Sequence, residues 1–154
     1  MDRIVFITPN FAVTGQLAPE DFAKAAAHGF TAIVNNRPDG EEEGQLSSAA
    51  AQGHARLAGL DYQHNPSGKL DLFSDRVVDA AEAMLRSADG PVLAYCKSGM
   101  RCAIIWAAAN ARSAPVDEVV AAVTAAGYTE FEFMRDELDE QARKSPASAE
   151  ALAA

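Results

Sequence analysis

The stretch that most constrains the fold runs from Pro91 to Arg112 and reads PVLAYCKSGMRCAIIWAAANAR. Pro91-Val92-Leu93-Ala94-Tyr95 is a nearly continuous apolar run behind the turn pair Asp89-Gly90, the pattern of a strand buried on both faces. Cys96 to Arg101 follows as a short polar loop. Cys102 to Arg112 is then apolar nearly all round, which is how a buried helix reads. The stretch therefore predicts a strand, a tight loop and a helix.

A thiol at that junction meets the orphan N–H groups and the positive dipole end of the helix. Such a setting favours the thiolate and lowers a cysteine pKa from about 8.5 to as little as ~3.5–7.5 when a cation helps. Arg101 supplies that cation, and its planar fork holds an oxyanion at two points, as Lys97 with its point charge cannot. Gly99 lets the backbone turn tightly and approach a ligand. Ser98 and Met100 complete the loop. A bare C-x4-R also arises where a buried strand ends in cysteine and an exposed helix starts with arginine. The conjunction of buried strand, cysteine, glycine, arginine and buried helix favours a nucleophilic site, with Cys96 and Arg101 as its catalytic pair.

A length of 154 residues suits one domain with a sizeable core. The net charge of −9 disfavours nucleic acid and anionic membranes as partners, while leaving room for a small anion in one local positive loop. No basic run followed by an apolar region opens the chain, and no stretch approaches ~18 apolar residues, so a cytoplasmic protein is expected. In that compartment Cys96 and Cys102 are expected to be reduced thiols and not a structural bridge. Neither a GxGxxG motif nor metal-ligand spacing occurs, and no cofactor is expected.

Along the chain, strands are expected over Arg3–Thr8, Val13–Gln16, Thr31–Val34 and Leu60–His64. Helices are expected from Pro19 to His28, Ser47 or Ser48 to Leu57 or Ala58, Ser74 to Ser87, Pro115 to Gly127 and Glu130 to Lys144. A domain over 1–144 would then end in a frayed tail over 145–154. Asn35-Asn36-Arg37-Pro38-Asp39-Gly40 is dense in turn residues at a strand end, so Arg37 and Asp39 are accessory candidates that could share a crevice with Cys96. Glu41-Glu42-Glu43 reads as a solvated loop. His64, at another strand end, reads as structural, His28 as a last-turn residue suited to the negative end of its helix dipole, and His54 as a surface residue.

Several segments carry a resemblance: Gly15-Gln16-Leu17, Gly29-Phe30-Thr31, Asn35 through Glu42, Ala58 through Tyr62, and Tyr95-Cys96-Lys97-Ser98-Gly99-Met100-Arg101. Together they resemble the beta-lactamase-hydrolase-like family of bacterial proteins. The resemblance implies a single three-layer α/β domain, a central and mostly parallel sheet flanked by helices, of the dual-specificity type of protein-tyrosine-phosphatase-like fold. It also implies an anion-binding loop over Lys97, Ser98, Gly99, Met100, Arg101 and Cys102, a link to sulfur transfer, and a persulfide dioxygenase as a functional partner.

Phosphatases that resemble this loop usually carry one more residue between cysteine and arginine, whereas rhodanese-type sulfurtransferases share the shorter spacing. They also supply an aspartic acid to protonate the leaving oxygen. The corresponding segment here, Asn65 to Lys69, has no carboxylate before Asp71, so Asp71, Asp75 or Asp39 is left as the candidate acid, each with a turn or helix-start role as its plainer reading. They place Ser or Thr where Cys102 stands, and a thiol is the poorer donor. Cys102 is either a resolving thiol or, more simply, a buried inert cysteine. These departures put sulfane-sulfur transfer on Cys96, from a small anionic or persulfide substrate, ahead of phosphate-ester hydrolysis. A non-catalytic anion-binding or redox-sensing module is the third reading.

Overall fold

Alternation along five short strands decides which helix lies on which face of the sheet. The strands are β1 (Val5–Thr8), β2 (Phe11–Thr14), β3 (Ala32–Asn35), β4 (Asp61–His64) and β5 (Val92–Tyr95), in the spatial order β1-β2-β5-β3-β4. β1 pairs antiparallel with β2, and every other pairing is parallel. Ala12, Ile33, Leu93 and Tyr95 point to one face and pack with Phe22, Ala25, Ala51 and Ala55 of α1 (Asp21–Ala27) and α2 (Ser48–Leu57). Their neighbours Phe11, Val13, Val34, Val92 and Ala94 point to the other. There they meet α3 (Asp75–Ser87), α4 (Met100–Ala111), α5 (Val116–Ala125) and α6 (Arg135–Ala142). The result is a three-layer α/β sandwich. The computed structural model describes residues 1, 3–129 and 131–144, so the tail expected over 145–154 lies outside the described residues.

β5 is the middle strand, parallel to both neighbours, and all four of its residues are buried. α4 follows it into the interior, with nine of its twelve residues buried. Its alanines, Ala103, Ala107, Ala108, Ala109 and Ala111, allow close packing against α3, α5 and α6. The buried Arg112 closes the far end by donating to Gln141 Oε1 at 3.0 Å and Asp79 Oδ1 at 2.6 Å, which ties α3 and α6 to α4.

Most elements shift by one or two residues at an end, and two departures from the sequence expectation have a structural reason. β2 begins at Phe11, because the turn at Pro9-Asn10 is immediately followed by residues in register with β5, Phe11 opposite Val92 and Thr14 opposite Tyr95. The last helix is broken into a 3-10 turn, Phe131–Met134, and α6. Buried Phe131 packs in the same core as the buried Leu138 of α6. No helix among the described residues is long and apolar enough to cross a membrane.

At the carboxyl ends of β3, β4 and β5 the loops are stitched together by buried asparagines. The Asn36 N–H donates to the Tyr95 carbonyl and its side-chain amide to the Asn65 carbonyl, both at 2.9 Å. Asn65 donates from its N–H to the Asn35 carbonyl at 2.9 Å, and Ser67 N–H donates to the Asn36 carbonyl at 3.0 Å. These bonds fix three strand-end loops around one opening. Replacing Asn36 by Leu strands the buried Asn65 carbonyl and should lower stability in urea unfolding by about 1–3 kcal/mol. No change in the midpoint would show that the stitching is not what holds the loops.

Candidate active site

Cys96 is the first residue after β5, and its thiol is 1% exposed. Burial by itself would favour the neutral thiol, yet the surroundings reverse this. The neighbouring Cys102 thiol above all, with the N–H groups of Cys102, Ser98 and Gly99, pulls the Cys96 pKa down to about 5. The Gly99 N–H lies 3.1 Å from Sγ. Gly99 adopts φ +94, and a Cβ there would sit 3.4 Å from both the Thr14 carbonyl oxygen and Tyr128 Oη. The loop therefore closes tightly only with glycine. Cys102, one turn into α4, is fully buried, and its pKa is raised by that burial and by the neighbouring Cys96 charge. Burial thus keeps the Cys102 thiol protonated beside Cys96.

Arg101 lies in the first turn of α4. Nη1 donates to Glu41 Oε2 at 2.8 Å and to the Ser67 carbonyl at 2.9 Å, while Nη2 donates to Glu41 Oε1 at 2.9 Å. Lys97 extends from the loop into solvent, with Nζ 2.7 Å from Glu42 Oε1. Ser98 is exposed, and Met100 packs its side chain onto the core. Arg37 is buried among partners. Nε donates to Glu41 Oε1 at 2.8 Å, Nη1 to Gln16 Oε1 at 2.9 Å, and its N–H is received by Asn35 Oδ1 at 2.9 Å. Arg37, Glu41, Glu42, Lys69, Lys97 and Arg101 line a cavity of about 330 Å³ at the mouth of the loop. A second cavity of about 350 Å³ lies at the opposite end of β5, beside Val92 and Trp106, where no cation lines it.

The sequence-predicted residues thus divide. Cys96, Gly99, Arg101 and Cys102 converge, and Arg37 joins them through Glu41. Asp39 does not, because its Oδ1 accepts the Ser48 N–H at 2.8 Å at the start of α2. Asp71 accepts from Ser67 Oγ at 3.0 Å and from Arg76 Nη2 at 3.1 Å; it is linked through Ser67 to Arg101 but does not itself line the cavity at the mouth. His64 holds the Arg37 carbonyl through Nε2 at 2.9 Å, a structural role. His54 stacks on Phe22 at 5.9 Å between ring centroids and is only partly exposed.

Glu41, Glu42 and Glu43 are exposed in their loop, as expected, but Glu41 has partners the sequence did not show. It bridges Arg101 and Arg37, and Arg101 above all, with Arg37 adding, lowers its pKa to about 2. The Lys97 ammonium likewise holds Glu42 below the usual carboxylate range. Neither carboxylate lining the mouth is a proton donor at neutral pH. Tyr128 is a second residue that sequence reasoning missed, its hydroxyl lying behind Gly99. Burial raises its pKa, and the nearby cysteines, with the ionised Cys96 among them, add to the shift.

A folded-state pKa near 5 leaves Cys96 ionised at neutral pH. Its alkylation by iodoacetamide should be flat above about pH 6 and fall roughly tenfold per pH unit below the pKa, as thiolate disappears. Cys102→Ala removes the leading donor and should move that inflection upward. An inflection near 8.5, the ordinary thiol value, would contradict the geometry.

Comparison with known proteins follows the same lines. The family model of the phosphatase-like domain of beta-lactamase hydrolase-like proteins matches residues 3–113. The beta-lactamase hydrolase-like proteins of Xylella fastidiosa strain 9a5c and of Agrobacterium fabrum are each 36% identical over 105 residues, covering 68% of this chain and 24% of theirs. This chain therefore spans about a quarter of the length of those curated relatives. A crystal structure described as that of a candidate phosphatase from Neisseria meningitidis superposes with a TM-score of 0.75 at 32% identity, covering 90% of this chain and 97% of the other. A similarly described protein of Shewanella putrefaciens superposes with a TM-score of 0.67 at 16% identity over 92% and 93% of the two chains, a likeness of fold alone. By the match over residues 3–113, the chain belongs to the family of phosphatase-like domains of beta-lactamase hydrolase-like proteins.

Proposed function

We propose that the chain is a cysteine-dependent phosphatase-type enzyme that forms a phosphocysteine on Cys96. The observation that carries this reading is the buried, ionised Cys96 facing loop N–H groups with the Arg101 guanidinium beside it. In the reaction, the Cys96 thiolate attacks phosphorus in line, the bond to the ester oxygen breaks, and the leaving oxygen takes the electron pair. The loop N–H groups and Arg101 neutralise the equatorial oxygens. Water then cleaves the S–P bond and releases phosphate. Because Glu41 and Glu42 are ionised and Asp71 does not line the mouth, the leaving oxygen departs without a placed acid. Substrates with acidic leaving groups, such as aryl phosphates, are favoured.

Sulfane-sulfur transfer, which the sequence put first, becomes the second reading, since the family description and the similarity to described phosphatases support hydrolysis better. The missing acid is the observation that still favours it. With a thiosulfate-like donor, Cys96 attacks the outer sulfur, the S–S bond breaks, and sulfite leaves with the electron pair and needs no proton. An acceptor thiolate then attacks the Cys96 persulfide. On this reading a persulfide dioxygenase is the partner that consumes the transferred sulfur.

One paired experiment separates the readings. The protein should release phosphate from an aryl phosphate at least about 100-fold faster than from an alkyl phosphate, the size of a general-acid contribution. Cys96→Ser should abolish that release. Gain of one sulfur atom on Cys96 from thiosulfate, with no phosphate released, would replace the first reading by the second.

A further inference from the structure

A guanidinium carries five N–H donors in one plane. In Arg101 both Nη1 hydrogens and one Nη2 hydrogen are engaged by Glu41 and the Ser67 carbonyl, at 2.8–2.9 Å. Those bonds occupy the end edge of the fork. The Nε hydrogen and the second Nη2 hydrogen lie parallel along the side edge, and neither has a protein partner among the described residues. Two parallel donors are what a bidentate oxyanion contact requires.

We propose that Glu41 is a positioning residue for oxyanion binding, which grips Arg101 by its end edge and so presents the side edge to the anion held at the Cys96 loop. This rests on the reading of residues 96–101 as an oxyanion cradle, whichever group is transferred. Glu41 is itself held from behind. Its Oε1 also accepts from Arg37 Nε at 2.8 Å, and Arg37, 2% exposed, is fixed by Gln16, Asn35 and the His64 contact to its carbonyl. A continuous chain of charge-assisted bonds thus runs from the end of β3 to the first turn of α4. Gly40, at φ +76, precedes Glu41, a left-handed turn that favours glycine. A carboxylate that merely plugged the site would compete with the anion for the side edge, whereas Glu41 uses the other one.

The test uses tungstate as the probe and the protection of Cys96 from iodoacetamide as the readout, followed by mass spectrometry at neutral pH. Glu41→Gln keeps the size of the side chain and removes the charge. Its tungstate concentration for half-protection should rise about 10- to 100-fold, the loss of a charge-assisted bidentate pair. Half-protection is read against each protein's own alkylation rate without tungstate, and a far-UV and urea-unfolding comparison reports whether the variant keeps the fold. In an Arg101→Lys background the same substitution should add little, since its effect passes through the guanidinium. Unchanged or tighter tungstate binding by Glu41→Gln would overturn the proposal, as would a full-sized effect in the Arg101→Lys background. Failure of the enzymatic reading looks different: the wild type would show no turnover while tungstate protection stays intact.

Discussion

Everything at the site depends on keeping a charge on a sulfur that solvent scarcely reaches. Burial alone favours a neutral thiol, so the ionised form of Cys96 exists only because donors converge on it. Three come from the backbone of the loop and the start of α4, and one from the Cys102 thiol. Each has a structural precondition. The N–H groups point inward because Gly99 takes a conformation other residues resist. Cys102 faces the sulfur because α4 begins immediately after the loop and runs into the core. The buried strand β5 sets where that loop starts.

The cationic mouth is a local exception in an acidic molecule. Arg37, Lys69, Lys97 and Arg101 meet only Glu41 and Glu42 there, although the chain as a whole carries −9. Long-range attraction of anions is therefore weak, and affinity must come from short, directed bonds at the loop. The bonds among Arg37, Glu41 and Arg101 provide direction at the cost of two carboxylates near the site. Because those carboxylates are ionised, the site is rich in anion-binding groups and poor in proton donors. On the proposed reading, the same arrangement suits leaving groups that depart as stable anions.

The strand-loop-helix unit from Pro91 to Arg112 was legible because each of its signals is local: an apolar run, a glycine at a turn, an apolar helix. The sheet and its two helical layers follow from the same kind of pattern, repeated at β3 and α3. Glu41 was not legible. Three glutamates between Gly40 and Gly44 read alike whether they face water or an arginine sixty residues later. Asp39 shows the converse, since a turn aspartate at a strand end resembles a crevice residue until Ser48 is seen to use it. Cys102 was legible as a departure from the usual hydroxyl, but the sulfur-to-sulfur contact depends on how α4 is aimed. The breaks at Phe11 and Phe131 are set by packing partners, the one by β5 and the other by the core, and no local signal announces them.

The central claim is that residues 96–101 form an oxyanion cradle, and the most direct test is a crystal of the protein soaked in tungstate. The expected result is an anomalous peak within bonding reach of the Cys96 sulfur and of the Gly99 and Cys102 N–H groups, contacted by Arg101 through its Nε edge while Glu41 keeps the opposite edge. A peak at Lys69 and Lys97 only, or an Arg101 that has released Glu41 to reach the anion, would contradict it.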